Sequence, residues 1–311
     1  MPDYSDFDKF FLNLPPFDRE DDFEQFWKKS IADLKKIPME PLFGIKSSRP
    51  HHGFIQYNVS YKSFLKYHMT GSLFVPEKIK KPFVIIHLHD YNRKPLILTE
   101  KLNQSAAHFF LYIRGHENLI KKEASDISTP GFMIENIFDK ETYYIKAVYL
   151  DVYRAIDTLR LMPEIDCGKI GIYGKGIGAA AAIFTAANSE RVTALVLDTP
   201  FFCYLPILQN LSTSEASREI NEFIELYKIK KKQIKTNLTY FDCINFADKI
   251  NIPVLALTGF KDTVTPPQCV FAFFNHLQCE KQMEIFPDEG NSTGGEKQFV
   301  KSINWLAEKI S

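Results

Sequence analysis

Lys169-Ile170-Gly171-Ile172-Tyr173-Gly174-Lys175-Gly176-Ile177-Gly178-Ala179-Ala180-Ala181-Ala182 is an apolar run that enters a glycine turn and leaves it as an alanine-rich helix. A turn of this kind has two mechanical readings. In the first, Gly174, Gly176 and Ala179 form a dinucleotide fingerprint, with a pyrophosphate on the helix N-terminus and Asp198, which ends the next strand, placed to meet a ribose. In the second, the turn is a nucleophile elbow, G-x-S-x-G, a tight bend that lifts its central side chain above the sheet. The central residue here is Gly176, which has no side chain to lift.

Outward from the turn, short apolar runs recur at Phe83–Leu88, Phe109–Ile113, Lys169–Tyr173, Ala194–Asp198, Val254–Thr258 and Met283–Phe286. Helix-length periodic segments, Tyr143–Leu161, Ala179–Asn188 and Val270–Leu277, alternate with them. This is the rhythm of a mostly parallel, doubly wound α/β sheet with crossover helices on both faces, whose chemistry lies just after each strand, at the carboxyl edge. Phe54 to Pro76 suits antiparallel strands instead. Ahead of the sheet, Phe23, Trp27, Ile31 and Leu34 form one stripe of a docking helix over 22–36, for which Asp21 serves as N-cap with Glu24 three residues on. The chain reads as one domain over 1–311, with an N-terminal extension over 1–45 and a helical insertion over about 205–250.

Composition narrows the classes. Of 311 residues 45% are apolar and 24% charged, an ordinary globular balance. Thirty-eight basic side chains offset thirty-eight acidic ones, leaving no global field to attract nucleic acid or an anionic membrane. The basic run Lys228 to Lys235 is interrupted by Ile229 and Ile234 and reads as a solvated helix face. Five cysteines, without C-x-x-C or metal-ligand spacing, read as buried thiols of a reducing compartment. The acidic start, Met1 to Asp6, has no signal-peptide character and no apolar run reaches a membrane span, so a cytoplasmic location is expected. No cofactor is expected. His87 and His89 alternate on one strand, point the same way and could in principle bind a metal with Asp90 or His116, yet no third ligand is set by spacing, so no metal is expected either.

The elements around the turn resemble those of the acetyl xylan esterase and cephalosporin C deacetylase family, carbohydrate esterase family seven. The likeness runs through His87-Leu88-His89-Asp90-Tyr91-Asn92, Arg114-Gly115-His116, Thr129-Pro130-Gly131-Phe132-Met133 and Thr142-Tyr143-Tyr144 to Tyr149-Leu150-Asp151. It continues through Asp198-Thr199-Pro200-Phe201-Phe202-Cys203, Leu238-Thr239-Tyr240-Phe241-Asp242, Gly259-Phe260-Lys261-Asp262-Thr263 and Phe286-Pro287. The resemblance implies an α/β-hydrolase fold, a ring-like homo-oligomer and deacetylation by a serine, an aspartate and a histidine.

Laid on this chain, the family's nucleophile falls on Gly176 and the glutamine after it on Ile177. Its aspartate falls on Asp262, its histidine on Asn291 and the glutamate after that on Ser292. Its oxyanion-hole tyrosine falls on Tyr91, and its arginine-glycine-glutamine motif on Arg114-Gly115-His116. Glycine cannot be acylated, and an asparagine amide has no proton affinity near neutrality. The expectation is therefore a member with a degenerate triad, lacking serine-esterase activity. The elbow amides at Ile177, Lys175 and the Tyr91 hydroxyl would remain as donors toward a small acyl or carboxylate ligand. Two other readings stand beside it: a working carboxylic-ester hydrolase with a rearranged site, and a dinucleotide-binding protein using the Gly174-Gly176 turn. On the degenerate-triad reading, restoring Gly176→Ser together with Asn291→His is expected to rebuild the triad around Asp262.

Overall fold

The computed structural model describes residues 7–94, 99–117 and 131–311, so Thr129-Pro130 of the quoted motifs and the first six residues lie outside it. Among the described residues nine strands form a single sheet: β1 (Leu42–His51), β2 (Phe54–Lys62), β3 (His68–Pro76), β4 (Phe83–Leu88), β5 (Ala106–Leu111), β6 (Asp166–Lys175), β7 (Val192–Asp198), β8 (Val254–Gly259) and β9 (Lys281–Phe286). Their order is β1-β2-β3-β5-β4-β6-β7-β8-β9. The β1-β2-β3-β5 pairs are antiparallel, and every pair from β5 to β9 is parallel.

Alternate residues of the central strands feed two cores. Val84 and Ile86, Ile170 and Ile172, and Leu195 and Leu197 face the layer formed by α2 (Phe23–Lys35), α3 (Tyr144–Leu159), α4 (Ile177–Asn188) and α8 (Pro267–His276). Ile85, Tyr173 and Val196 face Phe299, Ile303, Leu306 and Ile310 of α9 (Gly295–Ile310). Burial on both faces is why these strands read as unbroken apolar runs rather than as alternation. The extension adds the short α1 (Phe7–Phe11), whose Phe10 and Phe11 rings meet Phe271 of α8. The insertion holds α5 (Leu205–Leu211), α6 (Glu215–Leu226) and α7 (Lys231–Thr239).

Register sets the site. Leu88 lies opposite Gly174, and Lys175 opposite Asp198, so β4, β6 and β7 finish at one edge. Strand β5 ends at Leu111, not Ile113, because its six residues match Phe83–Leu88 one for one. The docking helix also begins one residue late. Its N-cap is Asp22, which makes no cap hydrogen bond because its carboxylate is taken by Lys140 and Tyr240.

Candidate active site

The turn after β6 has the backbone of an elbow. Gly176 stands at φ 54°, ψ −117°, a region that side chains of L-residues rarely enter. Its neighbours need to be glycine for space: a Cβ on Gly174 would come within 2.6 Å of Ala179 Cα, and one on Gly178 within 2.6 Å of the His89 carbonyl oxygen. The bend is thus packed between α4 and the end of β4.

Asp90 occupies what the elbow leaves open. A Cβ added at Gly176 would overlap the Asp90 carboxylate, which therefore fills the space where a side chain at 176 would begin. Asp90 Oδ1 accepts hydrogen bonds from the Tyr91 amide at 2.7 Å and the Ile177 amide at 3.0 Å. Two converging backbone N–H groups, one of them at the N-terminus of α4, have the arrangement of an oxyanion hole, and here the chain's own carboxylate sits between them. Burial pushes the Asp90 pKa upward, while the two amides oppose that rise.

Asp262 and Asn291, the two positions to which the resemblance assigns the acid and the base, are in contact. Asp262, buried after β8, accepts from the Val264 and Thr265 amides at 2.8 and 2.9 Å through Oδ1. Its Oδ2 accepts from Asn291 Nδ2 at 3.0 Å. The asparagine amide therefore donates to Asp262, and it also reaches the Thr199 hydroxyl at 3.1 Å. Burial raises the Asp262 pKa, with these donors acting against it. Asp198 is fully engaged by the Tyr173 hydroxyl at 2.7 Å, Lys175 Nζ at 2.9 Å and the Thr293 hydroxyl at 2.7 Å. It has a structural partner set that does not need a ribose. Asp90 likewise takes the helix N-terminal seat that a pyrophosphate would need.

Two expected donors are placed differently from the sequence reading. The Tyr91 hydroxyl does not face the hole. It donates to both oxygens of Glu219, at 2.9 and 3.0 Å, and accepts from the Phe132 amide, so Tyr91 contributes to the hole through its backbone N–H alone. Lys175 Nζ turns to Asp198 and to the Asn291 carbonyl at 2.7 Å, tying β6 to the loop after β9. The carboxylate ligand expected at these donors would have to displace Asp90.

The histidines are staples. The Ile113 amide donates to His89 Nε2 at 3.0 Å, so the ring proton is on Nδ1 and goes to the Asp90 carbonyl at 2.8 Å. In the same way His116 Nε2 accepts from the Asn92 amide at 2.9 Å, and its Nδ1 donates to the Arg114 carbonyl. Both rings are held neutral, His89 pushed down to about 3 by burial and by His116 beside it. His87 Nε2 meets His108 Nδ1 at 2.9 Å. Among the described residues no three histidine, cysteine, aspartate or glutamate side chains gather as a metal site. Beneath the loop, Arg114 makes a bidentate pair with Asp151 at 2.7 and 2.8 Å. The sequence reading missed Glu215 and Glu219, which bind Asn92 and Tyr91 from α6. Their i, i+4 spacing on a helix capped by Ser214 was the available signal.

A strand-to-helix elbow, a two-amide hole and an acid position after a later strand, on a mostly parallel sheet, define an α/β-hydrolase. The acetyl xylan esterase family profile matches residues 14–309, and the chain belongs to that family. It is 24% identical over 309 residues to the acetyl esterase Axe7A of Xylanibacter ruminicola, covering 96% of this chain and 69% of that protein. The acetyl xylan esterase structure from Paenibacillus sp. R4 superposes with a TM-score of 0.87 at 24% identity, over 97% of this chain and 99% of that one. That of acetyl xylan esterase 1 from Thermoanaerobacterium sp. gives 0.86 at 21% identity, over 98% of each. No helix among the described residues is long and apolar enough to cross a membrane.

Proposed function

We propose that this chain is an acetyl xylan esterase and cephalosporin C deacetylase-like protein without serine-esterase activity, its triad degenerate at Gly176 and Asn291, and that it keeps the cavity beside the elbow as a binding site. The observation that carries this reading is Asp90. An ester substrate needs an oxygen nucleophile at the elbow and free donors for its oxyanion, and one carboxylate takes both places. The base position adds to it: Asn291 donates to Asp262 as a triad histidine would, but it has no second nitrogen to take a proton from a nucleophile. Loss of nucleophile or base in a serine-hydrolase triad costs on the order of 10⁶-fold in kcat. Purified protein is therefore expected to hydrolyse p-nitrophenyl acetate no faster than a heat-inactivated sample. Turnover above that background which persists through repurification would overturn the reading in favour of a rearranged working hydrolase.

A further inference from the structure

We propose that the cavity beside the elbow binds a hydroxyaryl carboxylate, its hydroxyl donating to His87 Nδ1 on the floor and its carboxylate held at the rim by Arg93, Lys94 and Lys175. The proposal rests on the reading above that this cavity is kept as a binding site, and it names the occupant. The cavity holds about 320 Å³. That is the small end of the range for ligand pockets, about 300–1,000 Å³, and suits a molecule of one ring.

The floor presents an acceptor in want of a donor. His108 Nε2 donates to the Asn103 carbonyl at 2.9 Å, which leaves His108 Nδ1 as an acceptor. His87 Nε2 lies 2.9 Å from that nitrogen and carries the donated proton, so His87 Nδ1 keeps a bare lone pair. His87 lines the cavity, is 4% exposed, and is held neutral by burial and by His108. Its Nδ1 has no hydrogen-bond partner among the described residues. The two hydroxyls lining the same cavity give their protons elsewhere, Tyr173 to Asp198 and Ser292 to Glu289. The occupant therefore has to bring the donor.

Wall and rim select the rest of the molecule. Leu88, Phe110, Tyr173 and Phe299 make the wall apolar and mostly aromatic, and His87 stacks on Phe110 with 4.2 Å between ring centroids. A flat ring suits this wall better than a sugar, whose hydroxyls would go unpaired against it. The rim is cationic, with the exposed Arg93 and Lys94 beside Lys175. The two carboxylates of the lining are already matched, Asp198 by Tyr173, Lys175 and Thr293, and Asp90 by the two elbow amides. Lys175 gives two of its three N–H groups to Asp198 and the Asn291 carbonyl, leaving the third for an anion. His87 lies opposite Tyr173 in the sheet, and Lys175 follows two residues nearer the carboxyl edge, about 6.6 Å along the strand. A benzene ring with hydroxyl and carboxylate in para positions spans that interval. The reverse orientation would set carboxylate lone pairs against that of His87.

The test is titration calorimetry of the full chain at pH 7 with 4-hydroxybenzoate, benzoate and 4-methoxybenzoate. One 4-hydroxybenzoate per chain is expected, with the other two acids about tenfold weaker because neither can donate to His87. Arg93→Ala combined with Lys94→Ala, both at exposed positions, is expected to weaken 4-hydroxybenzoate about fivefold and to lessen its sensitivity to salt. Absence of saturable binding at millimolar 4-hydroxybenzoate overturns the proposal, as does equal affinity for the three acids, and both are read on the unsubstituted protein. An unchanged affinity in the double variant overturns it as well. Turnover in the acetyl-ester assay would instead overturn the loss of serine chemistry and leave these affinities as they are, so the two failures are told apart.

Discussion

Restoring the serine alone is expected to damage the protein rather than revive it. In Gly176→Ser the new Cβ meets the Asp90 carboxylate, so Asp90 has to leave the hole and give up its bonds to the Tyr91 and Ile177 amides. Hydrogen bonds to a charged group contribute about 1.5–3 kcal/mol each, so the two together are about 3–6 kcal/mol. A non-glycine residue at φ 54°, ψ −117° adds roughly 1–3 kcal/mol of backbone strain. The total approaches the whole stability of an ordinary domain, about 5–15 kcal/mol. Urea denaturation should show that loss in Gly176→Ser, and Asp90→Gly in the same chain should relieve only the overlap at position 176, because the bonds from the Tyr91 and Ile177 amides to the carboxylate are absent in both. The double variant Gly176→Ser, Asn291→His, which the sequence alone suggests as sufficient, should stay inert on acetyl esters because the hole remains contested. Adding Asp90→Gly to it frees the amides and should bring hydrolysis above background, Asp262 then orienting the new histidine. Equal activity in the double and triple variants would refute the reasoning, as would a Gly176→Ser protein as stable as the parent.

Asp151→Ala leaves the Arg114 guanidinium buried without its carboxylate, and breaking such a pair costs about 3–5 kcal/mol, measurable as a lower urea midpoint. Acid stability should follow the buried imidazoles: burial pushes His108 down to about 4 and His89 to about 3, each below the unfolded 6.5, so the unfolded chain binds more protons in that window. Stability from both is full above pH 6.5 and is lost as pH falls toward 4 and then 3. His108→Gln should flatten that slope by about 3 kcal/mol, at about 1.4 kcal/mol per pH unit, and an unchanged pH profile would contradict the assignment.

The parallel strands were legible because burial on both faces writes them as short apolar runs, whereas the triad positions came from the family resemblance alone. In the fold Asn291 lies beside Asp262, and Gly176 stands at the bend between β6 and α4. Strand β1 was not read, since Pro50 and its polar residues suit only an edge position, which is where it pairs. Helix α9 was passed over although Phe299, Ile303, Leu306 and Ile310 repeat at helical spacing. Asp90 entered the sequence reading only within a motif and as a possible third metal ligand beside His87 and His89. Its role depends on meeting a turn 87 residues further along the chain, a proximity that no local pattern encodes. The Tyr91 hydroxyl was misassigned for a related reason: its partner Glu219 arrives from the insertion, 128 residues away.

The fit between Gly176 and Asp90 also bears on how such a site changes over generations. With the carboxylate seated against the glycine, a serine returning alone meets an obstacle, and clearing the obstacle alone yields an empty hole above an elbow that still has no nucleophile. Neither step by itself restores anything that selection for hydrolysis would reward. The contact between two positions far apart in the chain thus works as a ratchet, with a serine elbow open only to a chain that changes at several positions together.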